Sequence, residues 1–223
     1  MQGANDVWNW DYAWEVLPEV AGDGLLVTIQ ATVIGSIVAY VLGLVLALLR
    51  RSQIRVVSVV TTGFIELIRS TPLLVQIFFM FFVLPDIGLR FDALTTGIIA
   101  IGLHYSTYTA EVYRAGIEAV PVGQWEAATA LSLPRSRTWI GVILPQAIPR
   151  VLPALGNYTI SMLKETPLLL TIGVTDIVGT AFQEGSSAFR YVEPITIAGV
   201  LFLVMSFLAS LLTRWMERRV GTI

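Results

Sequence analysis

The 223-residue chain has no cysteine, which excludes disulfides, thiolate nucleophiles and Cys-bound metals, although it leaves the compartment open. Its single histidine, His104, excludes a multi-histidine metal centre. Charge is scarce too: Asp, Glu, Lys and Arg make up 13% of residues, against roughly 25% in a soluble domain. Apolar residues take their place, at 55% of the chain with a mean hydropathy of +0.74. This balance is that of a membrane protein. The net charge of −2 gives no reason to expect a nucleic-acid partner. There is no Gly-x4-Gly-Lys-Ser/Thr phosphate loop, and neither Gly-x-Ser-x-Gly nor His-Glu-x-x-His occurs, so the chain offers no set of groups for an ATPase, an intramembrane hydrolase or a zinc enzyme.

Residues 1–23 contain Asp6, Asp11, Glu15, Glu19 and Asp23 and no Lys or Arg. A signal peptide begins basic, so this segment is not expected to be one. Val7, Trp10, Trp14 and Leu17 recur at helical spacing. That pattern fits either a short helix in the membrane interface or an ordinary docked N-terminal helix.

Five stretches can cross a bilayer, which takes about 20 apolar residues. Leu25 to Leu49 is free of charge, and Val56 to Leu84 is interrupted by Glu66 and Arg69. Ala93 to Tyr113 is the third, a segment from near Pro153 to Val178 the fourth, and Pro194 to Thr213 the fifth. Arg50, Arg51 and Arg55 follow the first span, Arg114, Arg135 and Arg137 the third, and Arg214, Arg218 and Arg219 the fifth. The other side carries only Arg90 and Arg190. Basic residues stay in the cytoplasm, which predicts an outside N-terminus and a cytoplasmic C-terminus. The fold class expected is thus an all-α membrane protein with five transmembrane helices, in a single domain over 1–223.

Two stretches break the pattern in the same way. "RSTPLLVQI" begins at Arg69 and "KETPLLLTI" at Lys164. Each places a cation and a Thr-Pro pair at mid-membrane, roughly 15–20 Å in at about 1.5 Å per residue. Proline removes a backbone hydrogen bond. Such breaks persist in a membrane only where protein or a wet cavity satisfies the freed carbonyls, and transporters use paired broken helices to build midplane substrate sites. A charge there costs about 2.5–3.5 kcal/mol, so it faces the interior and is a functional candidate. The candidate substrate residues are Glu66, Arg69, Thr71, Lys164, Glu165 and Thr166. Glu66 and Arg69, spaced i,i+3, can pair, and the competing role for the charges is structural. Lys164 and Glu165 are adjacent and need partners on other helices. Glu111 reads as structural, His104 as a packing residue, and Asp176 as either a gate or a solvated position.

The segment 114–139 is polar and contains two short helical patterns around a turn at Pro121-Val122-Gly123, which fits either a docking element for a soluble partner or a loop packed on its own chain. Within it, Glu126-Ala127-Ala128, then Ser132, Val142 and Leu144-Pro145, resemble the EAA loop of ABC importer permeases, with Ser where the pattern has Gly and Val where it has Ile. "FIELIRSTPLLVQIFF", "TAEVYRAGIEAVPVGQWEAA" and "SMLKETPLLLTIGVTDI" resemble the polar amino acid branch of these permeases, the histidine/glutamine type. There a Thr-Ser commonly follows the Lys-acid pair, where this chain has Thr166-Pro167. The resemblance spans about residues 20–215.

It implies a type I importer permease core in the bacterial inner membrane, paired with itself or a paralogue. Cytoplasmic ATPase subunits would carry ATP and Mg and grip the 114–139 coupling loop through Gln124, Glu126, Ala127, Ala128 and Ser132. A periplasmic or lipid-anchored solute-binding protein would deliver substrate. This chain itself would then be no enzyme and hold no cofactor. The cargo implied is a polar amino acid or similar zwitterion; compatible solutes such as ectoine are carried by close relatives of the branch. A secondary transporter or channel would use the same embedded charges but has no need of an EAA loop.

Overall fold

The structure, a computed structural model, describes residues 7–220, and every regular element among them is helical. The first six residues of the expected interfacial segment fall outside the described residues. Asn9 caps α1 (Trp10–Glu19) by accepting from the amides of Asp11 and Tyr12. A wide turn at Val20–Gly24 leads directly into α2 (Leu25–Arg50). Then come α3 (Arg55–Arg69) and α4 (Leu73–Phe78), split at Ser70-Thr71-Pro72. After α4 the chain runs through a π-turn at Phe79–Val83 and a 3-10 turn at Leu84–Ile87. Asp92 accepts from the Thr95 amide at the start of α5 (Ala93–Glu118), and its bonds to Thr95 hold the carboxyl below the usual carboxylate range. Next are α6 (Val122–Ala130), α7 (Arg135–Thr138) and α8 (Leu144–Glu165), with a π-turn at Trp139–Ile143 before α8. A 3-10 segment at Thr166–Ile172 follows, then α9 (Ile177–Ala188) and α10 (Val192–Val220).

Helices occupy all five positions expected to span. Trp10–Arg50, Arg135–Ile172 and Val192–Met216 are long and apolar enough to cross a membrane. Arg55–Arg69 and Leu73–Ile87 add a fourth if they form one span, bent by 103° at the break. α5 is 26 residues long but is not in that set, because its middle runs His-Tyr-Ser-Thr-Tyr-Thr. Burial explains the composition: Thr96, Ala100, Ile101, His104, Tyr105, Ser106, Thr107, Thr109 and Ala110 are all buried. A helix wrapped by protein needs no lipid-facing apolar surface, whereas α2 exposes Ile29, Val33, Ile37 and Val41.

The fourth expected span starts earlier than Pro153. Helical structure runs from Arg135, with Pro149 and Pro153 inside α8. The wide turn before α8 already opens the hydrogen-bond ladder where Pro145 would break it. Two other boundaries differ. The first short helix expected in 114–139 is the continuation of α5, and α9 stands as a separate helix in what was read as the end of a span and a loop.

The chain divides into two compact units. One comprises Met1–Gly35, Pro72–Ile101 and Ile160–Leu208; the other comprises Ser36–Thr71, Gly102–Thr159 and Ala209–Ile223. In the first, Val20, Ile177, Ala181 and Ala198 form the buried core, and the Asn9 amide donates to Glu193 (2.8 Å) while the Tyr12 hydroxyl donates to the Glu184 carbonyl (2.9 Å). These bonds dock α1 on one side and leave Trp10 and Trp14 exposed on the other. In the second, Leu46, Ala47, Ile65 and Ala110 form one core and Ile117, Val120, Ile143 and Ala147 another. Gly43 lies so close to Thr109 that a Cβ there would collide with its hydroxyl, and that hydroxyl donates to the Ala39 carbonyl (2.8 Å). A small residue lets α2 and α5 approach within hydrogen-bonding range.

Candidate functional site

α3 ends where Pro72 cannot continue it, and this places Arg69 at the exposed end of a helical segment. Arg69 does not pair with Glu66 as the i,i+3 spacing allows. Its guanidinium lies 3.8 Å from Glu111 Oε1 and 5.0 Å from the centre of the Tyr108 ring. Glu66 is exposed and forms no ion pair among the described residues. A helix-surface rule gives way here because α5 presents an acid and an aromatic face together, and the ring adds a cation–π attraction. Glu111 also pairs with Arg50 and with Arg114 (2.8 Å), and Arg114 reaches Glu118 (2.6 Å). Those two acids hold the Arg114 guanidinium above its ordinary pKa. Three guanidiniums around one carboxylate leave the cluster net positive. Tyr108 stacks in turn on His104, Tyr105 and Tyr158, so His104 is a packed ring, buried among tyrosines. Thr71 donates to the Ile68 carbonyl (3.0 Å), satisfying a group at the break.

Lys164, Glu165 and Thr166 belong to the other unit. Lys164 is exposed and forms no ion pair among the described residues. It borders a cavity with Pro167, Gly199, Phe202 and Ser206. Glu165 is half-buried and Thr166 fully buried. The Thr166 hydroxyl lies 3.1 Å from both the Leu163 carbonyl and Asp176 Oδ2. Asp176 is buried, which rules against the solvated position, one of its two expected readings. It caps α9 by accepting from the Gly179 amide (2.8 Å), and a capping carboxylate with two donors tolerates burial. An Asp directly before an apolar Ile-Val-Gly run was the signal for this cap. Within this unit α4 packs against Thr166–Ile172, so the elements that follow the two Thr-Pro breaks lie side by side.

α6 and the turn that follows it carry the remaining predicted residues. Gln124, Glu126 and Ala127 are exposed, whereas Ala128 is buried. Only Ala127 of the alanine pair is therefore open to close approach. Ser132 adopts φ 52°, the left-handed conformation that glycine takes without penalty. The turn is as tight as glycine would make it. α6 is tied down by Trp125 against Trp139 (5.3 Å between ring centres) and by Gln146 donating to Gln124 (3.2 Å).

The family model for the inner membrane component of binding-protein-dependent transport systems matches residues 39–222. The chain belongs to this family. It is therefore a multi-pass inner-membrane permease of an ABC importer, and ATP hydrolysis lies on a separate subunit. ATPase and binding-protein partners follow from that membership. Among its relatives, a probable amino-acid ABC transporter permease protein of Sinorhizobium fredii is 45% identical over 91% of this chain and 87% of its own length. The arginine transport system permease protein ArtQ of Bacillus subtilis is 32% identical over 88% and 90%. The L-cystine transport system permease protein TcyB of the same organism is 34% identical over 94% and 90%. The permease also superposes with a TM-score of 0.89 on an amino acid ABC transporter crystallised with histidines, at 37% identity over 95% of this chain and 99% of that one. A TM-score of 0.63 at 17% identity to the inward-facing MetNI methionine ABC transporter, over 92% and 94%, speaks for the shared type I fold alone.

Proposed function

We propose that the permease carries a polar amino acid or a similar small zwitterion into the cytoplasm. It works with a second permease chain, a paralogue or a second copy, and with two ATPase subunits bound at α6. A periplasmic or lipid-anchored binding protein delivers the cargo. The topology proposed has five spans, an outside N-terminus and a cytoplasmic C-terminus, with α1 lying in the membrane interface.

The observation that carries the coupling role is the way α6 is held. Glu126 and Ala127 are exposed, while Ala128, Trp125 and Gln124 anchor the helix to the 139–147 segment. Behind it, Ile117 and Val120 from the α5 end pack with Ile143 and Ala147. A displacement of α6 is therefore passed to α5 and α8 as a packed body rather than absorbed in a loose loop. Such a packed body is suited to act as the lever that coupling requires. Arg69, Thr71, Lys164, Glu165, Thr166 and Glu66 are the proposed substrate groups, with a substrate carboxylate best met by a cation. The glutamine, arginine and cystine transporters among the relatives support an amino-acid cargo.

Proteoliposomes containing the permease, ATPase and binding protein test this directly. Uptake of a radiolabelled amino acid should require ATP and the binding protein. Glu126→Lys should abolish uptake while the permease stays folded in the membrane. Uptake that continues without the ATPase would establish a secondary transporter instead.

A further inference from the structure

Beside α6, within one compact unit, lies a groove of about 550 Å³. Its lining includes the cations Arg51 and Arg135, the apolar Leu48 and Leu133, and the indoles of Trp125 and Trp139. The Arg51 guanidinium sits 5.9 Å from the centre of the Trp139 ring. Among the described residues no carboxylate lines the groove. Three arginines of this unit have acid partners, Arg50 and Arg69 at Glu111 and Arg114 at Glu111 and Glu118, while Arg55, Arg137 and Arg150 form no ion pair among the described residues and do not line the groove. Arg51 and Arg135 form no ion pair among the described residues. Adjacent residues thus part company, with Arg50 engaged by an acid and Arg51 turned to an aromatic wall.

We propose that this groove binds an anionic phospholipid headgroup. The phosphodiester would lie between Arg51 and Arg135, and the upper acyl chain along Leu48, Leu133 and the indoles. Three observations favour a lipid over a free anion. The groove is amphipathic in its lining, with two cations beside leucines and indoles. Leu48 is in the last turn of the lipid-exposed helix α2, so the groove opens at the membrane boundary rather than out in water. Two tryptophans at that level are the side chains that settle at headgroup depth. Basic pockets between helices on the cytoplasmic side bind anionic headgroups.

The site is compatible with the ATPase contact, on which reading it otherwise does not depend. Trp125 and Thr129 lie about one turn apart on one face of α6, and both line the groove. Glu126 and Ala127 stand about 100° and 200° around the helix from Trp125. A bound lipid would wedge α6 against the end of α2 and stiffen the lever. Transport would then depend on membrane charge.

The test uses the assembled complex in nanodiscs of phosphatidylethanolamine with either phosphatidylglycerol or phosphatidylcholine. Native mass spectrometry after release counts retained lipid, without ATP or substrate, so the outcome is independent of what the permease transports. Wild type should retain phosphatidylglycerol. The double variant Arg51→Gln/Arg135→Gln should retain about 10-fold less or lower still, whereas Arg214→Gln, at an exposed arginine outside the groove, should match wild type. Arg51→Lys/Arg135→Lys, which keeps both charges, should recover most of the retention and guards against a folding defect. Equal retention by the Gln double variant, or equal retention of phosphatidylcholine, overturns the proposal. Displacement of the lipid by millimolar inorganic phosphate would also overturn it, in favour of a free-phosphate site.

Discussion

Arg69 and Glu111 stand 3.8 Å apart, from a guanidinium nitrogen to a carboxylate oxygen, with the arginine also over Tyr108. The contact joins the end of a broken helix to the C-terminal third of α5. It also makes Glu111 the shared anion of Arg50, Arg69 and Arg114.

Removing that anion should be costly. Glu111→Gln leaves three neighbouring guanidiniums without their common partner. Breaking a buried pair costs about 3–5 kcal/mol, but the Glu111 side chain is 21% exposed and exposed pairs are worth little. A loss of about 1–3 kcal/mol is expected, read as a lower midpoint in thermal unfolding in detergent. An unchanged midpoint would show that the cluster is not structural. Combining Glu111→Gln with Arg69→Met then separates roles: if Arg69 serves only the pairing, uptake survives in the double variant, and if it meets substrate, uptake is lost in a folded protein.

Asp176 caps α9 and receives the Thr166 hydroxyl. Asp176→Ala removes the cap and leaves buried donors unmet, at a cost of about 2–3 kcal/mol. Asp176→Asn keeps an acceptor for the Gly179 amide and should lose less than half as much. Proteolysis rates within 173–191 report this opening, and equal rates for both variants would dismiss the capping role.

Ser132 holds φ 52°. Ser132→Gly relieves a strain of about 1–2 kcal/mol, partly offset by the greater freedom of glycine in the unfolded chain. A net gain below about 1 kcal/mol is expected. Ser132→Val, β-branched at a left-handed position, should lose at least as much. A destabilised glycine variant contradicts the conformational argument.

Gly43 packs on Thr109. Gly43→Ala should separate α2 from α5 and break the Thr109–Ala39 hydrogen bond, for a loss of about 1–3 kcal/mol. Adding Thr109→Ala should restore part of it by making room. Independent, additive losses would mean that the two residues do not share the contact.

Local chemistry determined much of this protein by itself. Scarce charge and long apolar runs place it in a membrane wherever the helices go, because lipid cannot solvate charge. Pro72 and Pro167 follow the ends of α3 and α8, as a missing N–H favours, although Pro149 and Pro153 stay inside α8, so the residue weakens the ladder and its surroundings decide whether the helix breaks. The polarity of 122–130 and the EAA pattern placed the exposed helix. Only tertiary structure decided the partners. Arg69 takes Glu111 from a distant helix rather than Glu66 one turn away, because α5 brings an acid and a ring to the same point. Ala127 and Ala128 are identical in sequence terms, and packing alone turns one out and one in. Asp176 is buried because Thr166, ten residues earlier, folds back onto it. The polar middle of α5 is likewise a consequence of its neighbours, since a helix enclosed by protein is freed from the apolar demand that lipid makes on α2.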